Sequence, residues 1–256
     1  MSMKKEFKAG LLTVKVMETR AQSGKLAGEE AANKIRELLA KKDTVNIIFA
    51  AAPSQNETLD TLIAADGIDW SRVNAFHMDE YAGLAVPDKQ SFGLFLKEKL
   101  FDMLTFKSVA YINGKADNLD EECERYAALL AQYPADIVCM GIGENGHIAF
   151  NDPPVADFDD AKAVKIVELD AICRQQQVND GCFPTLADVP THALTLTVPA
   201  LMSGAYLFCT VPAATKAEAV KRTVNDEIST ACPATILRTH KNAVMYCDAD
   251  SGKYIL

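Results

Sequence analysis

The chain has 256 residues and a formal net charge of −9, and its 26 basic residues form no long block, so nucleic acid is disfavoured as a partner and an anionic ligand must be held by local donors. A make-up of 49% hydrophobic and 24% charged residues is that of an ordinary soluble globular protein, and no run approaches the ~20 apolar residues of a membrane helix. The seven cysteines are odd in number, scattered and without a CxxC pair, which argues against a disulfide framework or zinc site and for reduced thiols in a cytoplasmic protein.

The opening stretch, "MSMKKEFKAGLL", lacks the continuous apolar run of a signal peptide. Residues 18–42 place Leu26, Ala31, Ile35, Leu38 and Leu39 near a 3.6-residue period and read as an amphipathic helix. "TVNIIFAAA" (44–52) is β-branched and nearly all apolar, as a strand buried on both faces must be. A polar turn and a helical segment, "ETLDTLIAA", lead to a second strand, "RVNAFHM". The helix "SFGLFLKEKLFDML" precedes a third strand, "SVAYING", and the periodic helix "LDEECERYAALLAQY" precedes a fourth, "DIVCMGIG". Residues 151–190, rich in Pro, Asp and Asn, read as loop, after which "ALTLTVPALM", "AYLFCTV", "TKAEAVKRTV" and "NAVMYCD" continue the alternation. This order predicts the α/β class: a single doubly wound, mostly parallel, Rossmann-like sheet flanked by helices, one domain over 1–256. Such sheets bind ligands outside the carboxyl ends of their strands, so the loops that follow strands carry the functional reading.

Three of them stand out. In "APSQNETL", Ser54 and Glu57 have the spacing of a helix-capping box. The competing reading is an anion site, in which free amides and Ser54, Gln55 and Asn56 hold a phosphate and Glu57 has to turn away. In "FHMDEYAGL", Asp79 and Glu80 are neighbours at a strand end, so one can face a cleft while the other braces the scaffold. In "GIGENGHIAFNDPP", Gly141, Gly143 and Gly146 spell a dinucleotide fingerprint by letter, but it lies mid-chain and Pro153 and Pro154 follow closely, so nucleotide binding is disfavoured. The glycines are read instead as allowing positive φ and close backbone approach. His147, with Asn145 and Asp152 nearby, looks like an imidazole held by polar neighbours, and one His with scattered acids lacks metal-ligand spacing.

"FHMDEYAGL" and "GIGENGHIAFNDPP" together resemble the signature loops of the glucosamine-6-phosphate deaminase (isomerase) family, which shares a superfamily with 6-phosphogluconolactonase. The resemblance extends to "VPTHALTLTVPALM", the lysine of "PAATKAEAV" and the C-terminal "ISTACPATILRTHKNAVMYCD". It implies an enzyme that converts glucosamine 6-phosphate to fructose 6-phosphate and ammonia, with no organic cofactor and no metal. It implies a catalytic set of Asp79, His147, Asn145 and Asp152, with Asp79 shuttling the C2 proton to C1, Glu80 bracing it and His147 opening the pyranose ring. The substrate-binding set it implies is Ser54, Gln55, Asn56, Glu80, Gly143 and Lys216, with Arg174 the nearest match to the family's phosphate-binding arginine.

Departures accompany the resemblance. Asn145 stands where the family has an acid, Asp152 where it has a glutamate, and "SQNE" where it has a Gly-rich turn. Three alternatives stay open: another hexosamine 6-phosphate such as galactosamine 6-phosphate, 6-phosphogluconolactone hydrolysis, and a sugar-phosphate sensor without catalysis. The expected partner is a small-molecule sugar phosphate, with neither nucleic acid nor membrane. The ending "DADSGKYIL" lacks the longer tail of some family members, an expectation against hexameric allostery that leaves a homo-oligomer open.

Overall fold

The computed structural model describes residues 2–179 and 181–256. The chain opens with a hairpin of β1 (Met3–Ala9) and β2 (Leu12–Met17), which the sequence reading left unassigned. Then come α1 (Arg20–Leu39), β3 (Val45–Phe49), α2 (Asn56–Ile63), β4 (Val73–His77) and β5 (Asp79–Tyr81). The middle holds α3 (Phe92–Lys99), β6 (Ser108–Ala110), α4 (Leu119–Gln132) and β7 (Ile137–Met140). The last part runs through β8 (Val164–Glu168), α5 (Ala171–Asn179), β9 (His192–Leu196), α6 (Val198–Met202), β10 (Tyr206–Val211), α7 (Ala217–Asn225) and β11 (Ala243–Cys247).

Eight strands form the main sheet in the order β1-β2-β11-β10-β7-β3-β4-β6, parallel throughout except for the antiparallel β1–β2 pair. The four strands expected between 44 and 143 are all present. Alternate residues of each feed opposite faces: Ile48, Phe76, Val138 and Met140 join one core cluster, and Ile47, Phe49, Ala75 and Ile137 the other. Burial on both faces is why these strands read as continuous apolar runs. The thiols of Cys139, Cys209 and Cys247 lie inside this packing as small hydrophobes, and burial pushes the first and last up to about 12.

Two expectations need correction. The stretch "ALTLTVPALM" does not join the parallel sheet: it supplies β9 of a separate three-stranded sheet, ordered β5-β9-β8 and antiparallel, and then α6. The region 151–190 is not all loop, because β8 and α5 lie within it, and Pro, Asp and Asn punctuate their ends.

From β3 the chain winds outward through β4 and β6, then returns to the other side of β3 as β7. The reversal of direction lies between β3 and β7, where an open α/β sheet leaves a crevice beyond its strand ends. The loops that follow β3, β4, β7 and β10 meet there.

Candidate active site

An open cleft of about 800 Å³, its solvent-filled mouth included, lies at that reversal, and its walls come from Ala50–Gln55, Met78 and Asp79, Gly141–Gly143, His147, Pro212, Ala213, Thr215 and Lys216 among others. Of the residues singled out in the sequence, Asp79, His147, Ser54, Gln55, Gly143 and Lys216 line it.

Asp79 and Glu80 point to opposite sides of β5, as strand geometry requires. The Glu80 carboxylate is fully buried and accepts from the amides of Tyr81 (3.0 Å), Phe92 (3.1 Å) and Gly93 (3.0 Å), tying β5 to the first turn of α3. Burial nevertheless outweighs those three amides and pushes its carboxyl up to about 7. Glu80 is therefore a brace and not, as the substrate-binding assignment had it, a cleft residue. The Asp79 side chain is 7% exposed, lines the cleft and makes no hydrogen bond to any described residue. Burial, and then the charge of Glu80, raise its carboxyl well above 3.8.

Beneath Asp79 lies a support that the sequence reading missed. His77 Nδ1 lies 2.9 Å from the carbonyl of Asp79, and Nε2 accepts from the amide of Ile112 at 2.9 Å. The second bond fixes the tautomer with the proton on Nδ1, so the imidazole donates to the carbonyl of Asp79. Burial lowers His77 to about 4 and keeps it neutral. On the far side Thr195, register partner of Asp79 in β9, accepts the Phe150 amide at 3.1 Å and so joins the Asp79 strand to the His147 loop.

The imidazole of His147 is packed on Gly143: a Cβ there would lie 2.1–2.3 Å from three ring atoms. Gly146 has φ +84°, whereas Gly143 is required for space and not for a left-handed backbone. His147 Nδ1 is 2.8 Å from Asp152 Oδ1, with the ring turned off the line of a formed hydrogen bond. Asn145 reaches neither the ring nor the cleft wall. Its Oδ1 accepts the His147 amide at 3.0 Å and its Nδ2 donates to Asp152 Oδ1 at 2.9 Å. An acid at this position could not make that donation, so the substitution is matched to a nearby carboxylate. Burial raises the Asp152 carboxyl, but His147, then Asn145 and Cys173, outweigh it and hold the pKa below 3.8. His147, Asp152 and Cys173 each bring one donor atom capable of binding a metal to within 4.8 Å of the others.

At the opposite end of the cleft lie Ser54, Gln55, Thr215 and Lys216. The capping box does not form. Ser54 Oγ instead accepts from Gln55 Nε2 at 3.2 Å, and no side chain caps α2. Glu57 turns away to pair with Arg20, whose Nε and Nη2 lie 2.6 and 3.1 Å from its two oxygens while Nη2 also binds the Pro53 carbonyl. Arg20 thereby removes the anion problem of the "SQNE" turn and itself lines the cleft. Its signal in the sequence was indirect, a Glu57 in need of a cation.

Asn56 does not line the cleft, and its Oδ1 is buried without a hydrogen-bond partner. Arg174 is likewise elsewhere: Nη2 binds the carbonyls of Leu186 and Val189, both at 2.8 Å, pinning the loop after α5. The side chains that α5 sends into the cleft are Gln176 and Gln177. Gln176 Oε1 accepts the Glu144 amide at 3.0 Å, while Gln177, 7% exposed, has no side-chain hydrogen bond to a described residue. Two alanines in the cleft wall, Ala149 (φ +49°) and Ala213 (φ +84°), hold left-handed backbone, a strain that collects at ligand sites.

This arrangement belongs to a recognisable lineage. Residues 18–246 match the family model described as glucosamine-6-phosphate isomerases/6-phosphogluconolactonase. The chain belongs to this family. It is 36% identical to a glucosamine-6-phosphate deaminase of Bacillus cereus (strain B4264), over 94% of this chain and 87% of the relative. Identity to a glucosamine-6-phosphate deaminase of Bacillus cytotoxicus is also 36%, over 87% of this chain and 83% of the relative. Among solved structures, a monomeric glucosamine-6-phosphate deaminase described as a missing link of the NagB superfamily superposes with TM-score 0.86 at 27% identity, covering 94% of this chain and 98% of that one. The 6-phosphogluconolactonase of Thermotoga maritima, at TM-score 0.75 and 19% identity over 93% of this chain and 99% of that one, shares the fold. No described helix is long and apolar enough to cross a membrane.

The split between the two carboxylates gives a first expectation. Glu80→Gln places an amide N–H₂ against backbone donors, which should destabilise the protein by about 1–3 kcal/mol in denaturant titration. Removing the Glu80 charge should also lower the pKa of Asp79, which a pH titration of that carboxyl followed by NMR checks.

Proposed function

We propose that this protein converts glucosamine 6-phosphate to fructose 6-phosphate and ammonia, with Asp79 as the proton shuttle. The observation that carries the reading is the unbound Asp79 carboxylate in a cleft it shares with His147, while Glu80 next to it is fully engaged.

The phosphate is held by Lys216, Ser54 and Gln55, joined by Arg20. The sugar then extends toward the Asp79 end. His147 moves a proton between O5 and O1 and so opens the ring, with Asp152 beside Nδ1 stabilising the imidazolium when it forms. Only the open-chain aldehyde makes the C2 hydrogen acidic. Asp79 takes that proton to give an enolamine and returns it to C1, which leaves an imine at C2. Water adds to the imine to give a carbinolamine, whose C–N bond breaks to release ammonia and leave the C2 ketone. A base whose pKa is lifted by burial is better matched to this carbon acid than an ordinary aspartate. Gln177, a buried amide with no side-chain hydrogen bond to a described residue, is placed to bind a polar group of the sugar. All seven cysteines are free thiols, which supports a reducing, cytoplasmic setting.

The test is a coupled assay on the purified protein. Ammonia and fructose 6-phosphate should appear in equal amounts from glucosamine 6-phosphate. No turnover of any 6-phosphorylated amino sugar, or lactone hydrolysis that survives Asp79→Asn, would overturn the reading. The phosphate assignment is checked by two variants. Lys216→Ala should raise KM by about 10–100-fold, the equivalent of one lost charge-assisted hydrogen bond. Arg174→Ala should leave KM unchanged and lower stability by about 1–3 kcal/mol, because its guanidinium binds two loop carbonyls.

A further inference from the structure

Cys173 lies in the first turn of α5, 1% exposed, against an Asp152 that is equally buried. Cys173 packs in the core beside the Asp152 carboxylate, and none of the proposed proton transfers passes through its thiol. Its donor atom and those of His147 and Asp152 lie within 4.8 Å of one another, so nitrogen, oxygen and sulfur converge on one point. The polar pairing inside the cluster is also incomplete. His147 Nδ1 lies 2.8 Å from Asp152 Oδ1 off the line of a formed hydrogen bond, and Asp152 Oδ2, on the side of the Cys173 thiol, accepts no hydrogen bond of ordinary geometry, although buried polar atoms are nearly always paired. His147 is 8% exposed and lines the cleft, which gives the cluster a route to solvent past the imidazole.

We propose that His147, Asp152 and Cys173 bind a thiophilic divalent cation such as Zn²⁺ or Cd²⁺, with the fourth coordination position opening on the cleft. One imidazole nitrogen, one carboxylate oxygen and one thiolate form a donor set that suits tetrahedral zinc, and three protein ligands with an open fourth position are the pattern of accessible sites. Sequence spacing concealed the set, because two ligands come from the loop after β7 and the third from a helix that read as loop. Without metal the thiol is protonated: burial, then the charge of Asp152, raise its pKa. On binding, the thiol proton leaves for solvent and the metal takes the sulfur lone pair.

Binding blocks turnover. A metal on Nδ1 locks the imidazole with its proton on Nε2, so the ring can no longer alternate between neutral and protonated forms. This inhibitory half rests on the role proposed above for His147, whereas the binding half does not.

The experiment titrates metal-free protein with Cd²⁺ and follows the ultraviolet charge-transfer band of a cadmium–thiolate bond. A band that saturates near one equivalent is expected, lost in Cys173→Ser and kept in Cys182→Ser. Asp152→Ala, which retains the thiol, should weaken Cd²⁺ binding by at least about tenfold. Saturating Zn²⁺ should lower wild-type turnover by at least about tenfold and a chelator should restore it, while Cys173→Ser keeps most of its own metal-free rate. No band near stoichiometric Cd²⁺, or a full band in Cys173→Ser, would overturn the site. Cadmium binding that depends on Cys173 without any loss of turnover would overturn the inhibitory half alone. A metal-free enzyme that turns over no amino sugar phosphate would count against the proposed reaction and leave the binding result intact.

Discussion

Asp79→Asn is expected to lower kcat by about 10²–10⁴-fold, the share that a positioned general base contributes, while KM changes little. The same substitution should raise Tm at about pH 8. The sign follows from the direction of the shift: the folded protein holds the Asp79 carboxyl well above 3.8, so burial penalises its charged form. The stability tied to the neutral form is fully present below the unfolded value and is lost as pH rises through the folded one. Asn cannot ionise, so it escapes this penalty at alkaline pH and should make little difference near pH 3. For the same reason the acid limb of wild-type kcat/KM should lie above that of an ordinary aspartate. A rate that stays flat down to pH 3.8 would mean that Asp79 is not the base.

Gly143→Ala should reproduce the loss of His147. The added Cβ would fall 2.1 Å from Cε1 and 2.3 Å from each ring nitrogen, well inside contact distance, so the imidazole must leave its place. Overpacking of this kind costs about 1–3 kcal/mol of stability, but the larger effect is chemical. Both Gly143→Ala and His147→Ala should slow turnover of the ring-closed sugar by about 10²–10⁴-fold with substrate binding retained. Gly141→Ala tests the site from the other side: its nearest contacts are Gln55 Nε2 at 3.1 Å and the Thr210 carbonyl oxygen at 3.2 Å, so it should leave the imidazole in place and act through KM. Loss of substrate binding in His147→Ala would assign the imidazole to recognition and not to ring opening.

Much of this fold is legible in the amino-acid sequence. β3, β4 and β7 announced themselves because burial on both faces leaves no room for polar alternation. Asp79 and Glu80 could be assigned opposite fates in principle, since the strand period is two, but the choice between them needed the partners in α3, about a dozen residues away. Long-range pairing also explains the misses. Ser54 and Glu57 have the letters of a capping box, yet Arg20, 37 residues before Glu57, draws the carboxylate away. Arg174 is the right residue type in nearly the right segment, but two loop carbonyls claim it and the neighbouring Gln176 and Gln177 face the cleft instead. α5 itself was hidden by its glutamines and by Asp, Asn and Pro around it, and the β1–β2 hairpin by lysines on an exposed edge strand. His77, in a run of apolar residues, gave no sign that it steadies the carbonyl of Asp79.

The most direct measurement uses glucosamine 6-phosphate that carries deuterium at C2. If Asp79 takes that hydrogen and returns it to C1, turnover should show a primary isotope effect, and part of the label should reappear at C1 of fructose 6-phosphate when the reaction is run in ordinary water. Ammonia released with no isotope effect and no label at C1 would contradict a proton shuttle at Asp79.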